Sequence, residues 1–134
     1  MKRSISIVTA ALLILFVLLS VGNASEKSNK VDWKSYGKNL AWALQSDNLG
    51  LQRSALLTII HKGDRIQLGK GIHNLMNIYL AHEDERFRQL ALVALHKTRD
   101  DWAMYYLRGQ YRDEKSPKLK RLMALILNDY FENT

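Results

Sequence analysis

Four histidines, His61, His73, His82 and His96, and the acidic run Glu83-Asp84-Glu85 are the residues whose types could carry metal or acid-base chemistry. A zinc site needs ligands that converge, as two histidines do when one helical turn apart on one face. No pair of these histidines stands in that relation and no HExxH occurs, so no metal site is expected. A calcium loop spaces its carboxylates along the chain, whereas three consecutive acids at a helix start point in different directions and favour the helix dipole instead. The chain has no cysteine, which excludes thiolate nucleophiles, disulfides and zinc-thiolate centres. With no nucleophile elbow and no glycine-rich phosphate loop, hydrolase chemistry has no residues to carry it. The expectation is a chain that is not an enzyme and uses no cofactor.

Recognition is the chemistry that remains. Arg53, Arg88, Lys120 and Arg121 recur near the starts of three helical stretches. They can form a basic strip that holds an acidic partner. The reading favoured over the strip, and compatible with it, is a ladder with Asp47, Glu83 and Glu114, in which each exposed pair is worth about 0 to 1 kcal/mol. A second set is Trp102, Tyr105 and Tyr106, spaced i, i+3, i+4 on a segment whose inward stripe is already claimed by Met104, Leu107 and Tyr111. Both stripes cannot be buried unless the helix is covered on two sides, so some of these rings are expected to face a partner. Those seven residues form the candidate partner-binding set.

The elements that must position them are helices throughout. The stretch Glu83 to Lys97 places Phe87, Leu90, Ala91, Ala94 and Leu95 on one stripe, with acids in its first turn and His96 and Lys97 at its end. Asp32 caps a helix from Trp33 to about Gln45, with Tyr36, Leu40, Ala43 and Leu44 inward. Ser46 to Asn48 break it and cap a second, Leu49 to His61, whose stripe is Leu51, Ala55, Leu56, Ile59 and Ile60. A third begins between Ile66 and Gly71, slowed by Gly69 and Gly71, and carries Ile72, Leu75, Met76 and Tyr79. After an aspartate cap, a fifth runs from Trp102 to Tyr111. Ser116-Pro117 then opens a sixth, which continues to about Phe131. No segment alternates as a strand does.

Every second helix repeats. Leu51, Phe87 and Leu119 align, with Tyr36, Ile72 and Met104 in register on the helices before them. A repeat of helix hairpins at this period is the pattern of a helical solenoid. In each unit an acid precedes the second helix, and an apolar residue and a base open it: Asp47 with Leu51 and Arg53, Glu83 with Phe87 and Arg88, Glu114 with Leu119 and Lys120. At these residues the chain resembles the HEAT-repeat family in its short bacterial form, over roughly Trp33 to Phe131. The units are shorter than is usual for that family and lack the proline typical of the first helix. The resemblance implies an all-α, short right-handed α-solenoid of three hairpins that binds a partner and is non-catalytic. A four-helix-bundle-like domain is the alternative architecture.

The chain of 134 residues carries a formal net charge of +7. Lys2 and Arg3, the apolar run Ile5 to Val21 and the small residues Gly22 and Ala24 have the layout of a secretory signal peptide cut before Ser25. Removing residues 1–24 takes away Lys2 and Arg3 and leaves +5, which favours acidic partners without singling out nucleic acid. Residues 25–32 read as a flexible lead-in and 33–134 as the domain. The expected protein is therefore exported, periplasmic or secreted, and acts as an adaptor or scaffold through the face of its second helices. The alternative is a membrane-tethered structural protein held by an uncleaved helix at residues 5–21.

Overall fold

The computed structural model describes residues 30–133. The chain divides into two units, Met1–Val31 and Asp32–Thr134. In the first, only the exposed, irregular Lys30 and Val31 are described, so the expected signal peptide and most of the lead-in lie outside the described residues. In the second unit, the described residues form six α-helices and no strand. They are α1 (Trp33–Leu44), α2 (Leu49–Lys62), α3 (Gly71–Ala81), α4 (Glu85–Thr98), α5 (Asp101–Gln110) and α6 (Pro117–Glu132).

Five of these helices begin where a side chain accepts a backbone amide that the helix leaves without a partner. Asp32 accepts from Lys34 and Ser35, Asn48 from Leu51, Asp84 from Arg86, Asp100 from Ala103 and Ser116 from Leu119. Each such cap is worth about 1 kcal/mol. The exception is α3, which has no side-chain cap. It starts at the late end of the expected range because Gly69 takes a left-handed φ of +52° and keeps the preceding chain out of the helix. That chain is not surface loop throughout, since Ile66 and Leu68 are both buried.

Consecutive helices pair, α1 with α2, α3 with α4 and α5 with α6. Alternate helices also meet, α1 with α3, α2 with α4 and α4 with α6, and α4 touches α5 as well. Helix α4 thus packs on four others, and Ala91, Leu92, Ala94 and Leu95 have no exposed surface. Leu92 lies off the stripe read from the sequence; it is buried because neighbours cover α4 on more than one side. The core continues through Leu56 and Ile59 of α2, Leu75 of α3, Met104 and Leu107 of α5 and Leu119 and Met123 of α6.

Two glycines set the approach of α1 to α3 and to the segment that precedes it. A Cβ on Gly37 would lie 2.1 Å from the Gln67 carbonyl oxygen, and one on Gly71 would lie 2.7 Å from the Ala41 Cβ. Side chains at either position would push α1 away.

Two inward assignments are corrected. Leu51 is 39% exposed, and its neighbour Gln52 turns inward instead. The Gln52 amide donates to the Leu44 carbonyl at 2.9 Å, which ties α2 to the end of α1. Tyr111 is exposed as well, because α5 closes at Gln110 and leaves it beyond the helix.

Candidate interaction surface

Arg88 stands in the first turns of α4, but its guanidinium turns away from solvent. Nε donates to the Tyr79 carbonyl at 2.7 Å and Nη2 to Glu114 Oε2 at 2.8 Å, with the guanidinium carbon 5.3 Å from the Tyr79 ring centre. Glu114 is itself buried. Its Oε2 also accepts the Tyr79 hydroxyl at 2.5 Å, and its Oε1 accepts the Ser116 amide at 2.9 Å. Burial alone would raise the Glu114 pKa, but the Tyr79 and Ser116 hydrogen bonds and the Arg88 charge outweigh it and hold the carboxyl below its ordinary value. Tyr79 is pushed the other way, by burial first and then by donating to that carboxylate. The group clamps the turn before α6 onto α3 and α4.

The remaining bases differ from Arg88 and from one another. Lys120 donates to the Arg112 carbonyl at 3.2 Å and lies over the Tyr111 ring. Arg53 and Arg121 are exposed, and neither enters an ion pair among the described residues. Of the expected ladder, only the rung from Arg88 to Glu114 forms among the described residues, and it joins two hairpins. The bases have different settings: Lys120 and Arg121 border a shallow depression with Tyr111 and Leu125, while Arg88 belongs to the internal clamp.

The aromatic residues of α5 behave otherwise. Trp102, Tyr105 and Tyr106 are 44%, 60% and 37% exposed, while Ala103, Met104 and Leu107 beneath them are fully buried. Their rings join neighbours from other helices. The His73 ring of α3 meets Trp102 edge-on at 4.4 Å, and Trp102 lies 5.4 Å from Tyr106. Tyr105 meets Phe131 of α6 at 5.2 Å, and the Arg108 guanidinium lies over both of those rings. The surface is thus a row of rings drawn from three helices, fixed by a rigid layer below. His73, Arg108 and Phe131 were not in the candidate set; the signal for Arg108 was its i+3 spacing from Tyr105.

Several of the histidines and acids have structural partners. His96 Nε2 lies 2.7 Å from Asp129 Oδ2, which also accepts from Arg99 at 3.1 Å. These partners hold the Asp129 carboxyl below its ordinary value, His96 first. His82 accepts the Asp84 amide through Nδ1 and stacks on Phe87. Asp84 is held down to about 2, chiefly by its hydrogen bond from the Arg86 side chain and then by the Arg86 amide. Glu85 accepts the Ser116 hydroxyl at 2.9 Å. Among the described residues no three His, Asp or Glu side chains are placed to share a metal ion, and no helix is long and apolar enough to cross a membrane. No family model matches the chain, and neither a curated protein nor a solved structure matches it.

Proposed function

We propose that this chain is an exported, non-catalytic interaction module, a short HEAT-like α-solenoid that docks a protein partner on the aromatic row of α5. The observation that carries the reading is the arrangement of Trp102, Tyr105 and Tyr106, exposed together above a fully buried Ala103, Met104 and Leu107. Tyr, Trp and Arg are the residues on which binding energy concentrates at protein interfaces, and here a row of rings stands next to Arg108 on a rigid support. The solenoid reading is supported by the packing of α2 on α4, of α4 on α6 and of α1 against α3. Export is supported by the basic, apolar and small-residue order of residues 1–24. The clamp around Arg88 shifts the weight of the partner site from the basic residues of the second helices to these rings.

The test is capture of a partner from the source cells by the native chain and by two variants. One carries Trp102→Ser, Tyr105→Ser and Tyr106→Ser; the other carries Arg53→Gln, Lys120→Gln and Arg121→Gln. The reading expects the first variant to lose a protein that the second retains. Loss from the basic variant alone would overturn it.

A further inference from the structure

We propose that the cleft between α1 and α3 is a second contact site that takes a short acidic segment of the partner, with an apolar side chain of that segment against Trp42. The inference rests on the reading of the chain as a docking module and adds the chemistry its partner must carry. Lys34, Lys38 and Trp42 stand at i, i+4 and i+8, one side of α1, and Lys70 reaches the same cleft from the turn before α3. The cleft holds about 510 Å³ over Ala41, Leu68 and Gly71. Trp42 is 70% exposed beside it, the most exposed tryptophan of the described residues.

Charge complementarity names the occupant. Among the described residues, three lysines line the cleft and no carboxylate does. The acid closest to them in sequence, Asp32, is occupied: its Oδ1 accepts the Lys34 and Ser35 amides and its Oδ2 accepts the Ser35 hydroxyl at 2.6 Å. Lys34 is close enough to Asp32 for their charges to attract without forming an ion pair, while Lys38 and Lys70 enter no ion pair among the described residues. The far wall is fixed, since Asn74 Nδ2 donates to the Ala41 carbonyl at 3.0 Å and the Gln45 amide donates to Asn74 Oδ1 at 3.0 Å. The close approach of Gly71 to Ala41, and of Gly37 to Gln67 in the segment before α3, holds this spacing.

Geometry narrows the class further. Eight residues of helix rise about 12 Å, the length of three to four residues of extended chain. Lys34 and Lys38 stand only about 6 Å apart along α1, so a compact anion such as phosphate would meet the lysines but leave the Trp42 end of that span unfilled. A bilayer surface is flat and would leave the recessed Ala41 and Leu68 floor unfilled. Lysines without arginine also suit several carboxylates in loose array better than one planar group held bidentately. The cleft and the aromatic row meet on α3, where Asn74 lines the first and its neighbour His73 touches Trp102 of the second, so one partner can span both.

The test measures fluorescence anisotropy of a labelled hexapeptide of four glutamates flanked by phenylalanines, and of its glutamine counterpart, with the full chain. The glutamate peptide is expected to bind at least about tenfold more tightly than the glutamine one. Lys34→Gln, Lys38→Gln and Lys70→Gln together are expected to weaken it about tenfold, and Trp42→Ala severalfold. A control removing the same charge elsewhere, Lys62→Gln, Lys97→Gln and Lys118→Gln, is expected to change it less than about twofold. Equal loss in the two triple variants, or tighter binding of oligodeoxythymidylate or phosphatidylglycerol vesicles through the same three lysines, would overturn the proposal. The α5 variant separates this site from the aromatic row: it is expected to bind the peptide as the native chain does. Partner capture lost at α5 with no peptide binding in the native chain refutes the cleft alone.

Discussion

Arg88 and Glu114 belong to different helix hairpins, yet Arg88 Nη2 lies 2.8 Å from Glu114 Oε2. With Tyr79 donating to the same oxygen, a base, a phenol and a carboxylate from three elements close on one point. The clamp fixes the turn that launches α6, and through α6 the Phe131 ring that meets Tyr105. Order at this internal site is therefore part of what presents the aromatic row.

Glu114→Ala leaves Arg88 without its counter-charge and Tyr79 without its acceptor. The expected cost is about 3 kcal/mol, read from the urea midpoint. The pH dependence follows from the signs of the two shifts. Glu114 titrates below its ordinary 4.5 when folded, so its contribution is present above 4.5 and is lost as pH falls through the depressed folded value. Tyr79 titrates above its ordinary 10.0, so its contribution is present below 10.0 and is lost as pH rises through the raised value. Thermal midpoints are expected to fall on both sides of this plateau, and Glu114→Gln is expected to flatten part of the acid arm.

The glycines offer a paired test of helix approach. Gly37→Ala forces a methyl group onto the Gln67 carbonyl and is expected to cost about 2 kcal/mol by moving α1. Gly109→Ala adds a methyl group with nothing within 4 Å in a helical position, and is expected to gain up to about 1 kcal/mol. Chemical denaturation of both variants reads the contrast.

Ser116 caps α6 and also donates its hydroxyl to Glu85 at the start of α4. Ser116→Ala is expected to lower stability by about 1 kcal/mol and to leave the helix content at 20 °C unchanged, as circular dichroism would report at roughly that temperature.

The two stripes of α5 should separate stability from recognition. Leu107→Ala opens a cavity under a fully buried side chain and is expected to cost about 2 to 5 kcal/mol. Tyr105→Ser removes an exposed ring and is expected to cost less than about 1 kcal/mol by calorimetry.

Local chemistry made much of the fold legible. Asp32 and Ser116-Pro117 start helices through bonds that span a few residues, so the sequence carries the whole signal. Leu92 and the exchange of Leu51 for Gln52 were not legible, because each depends on which neighbour covers a given side. The residue aligned with Leu51 on α4, Phe87, is buried on a helix that packs against four others, whereas α2 packs chiefly on α1 and α4. At the candidate surface, the competition of two stripes on α5 revealed the exposed rings. The fate of Arg88 was hidden, since its partners lie on other elements and only the packed fold brings them within reach.

The most direct test of the account places a benzophenone photo-cross-linker at Tyr105 in one chain and at Arg53 in another, each produced in the source cells. Irradiation is expected to yield one discrete protein adduct from position 105 and none from position 53. A discrete adduct at 53 with none at 105 would contradict the docking role of the aromatic row and return the site to the basic face of the second helices.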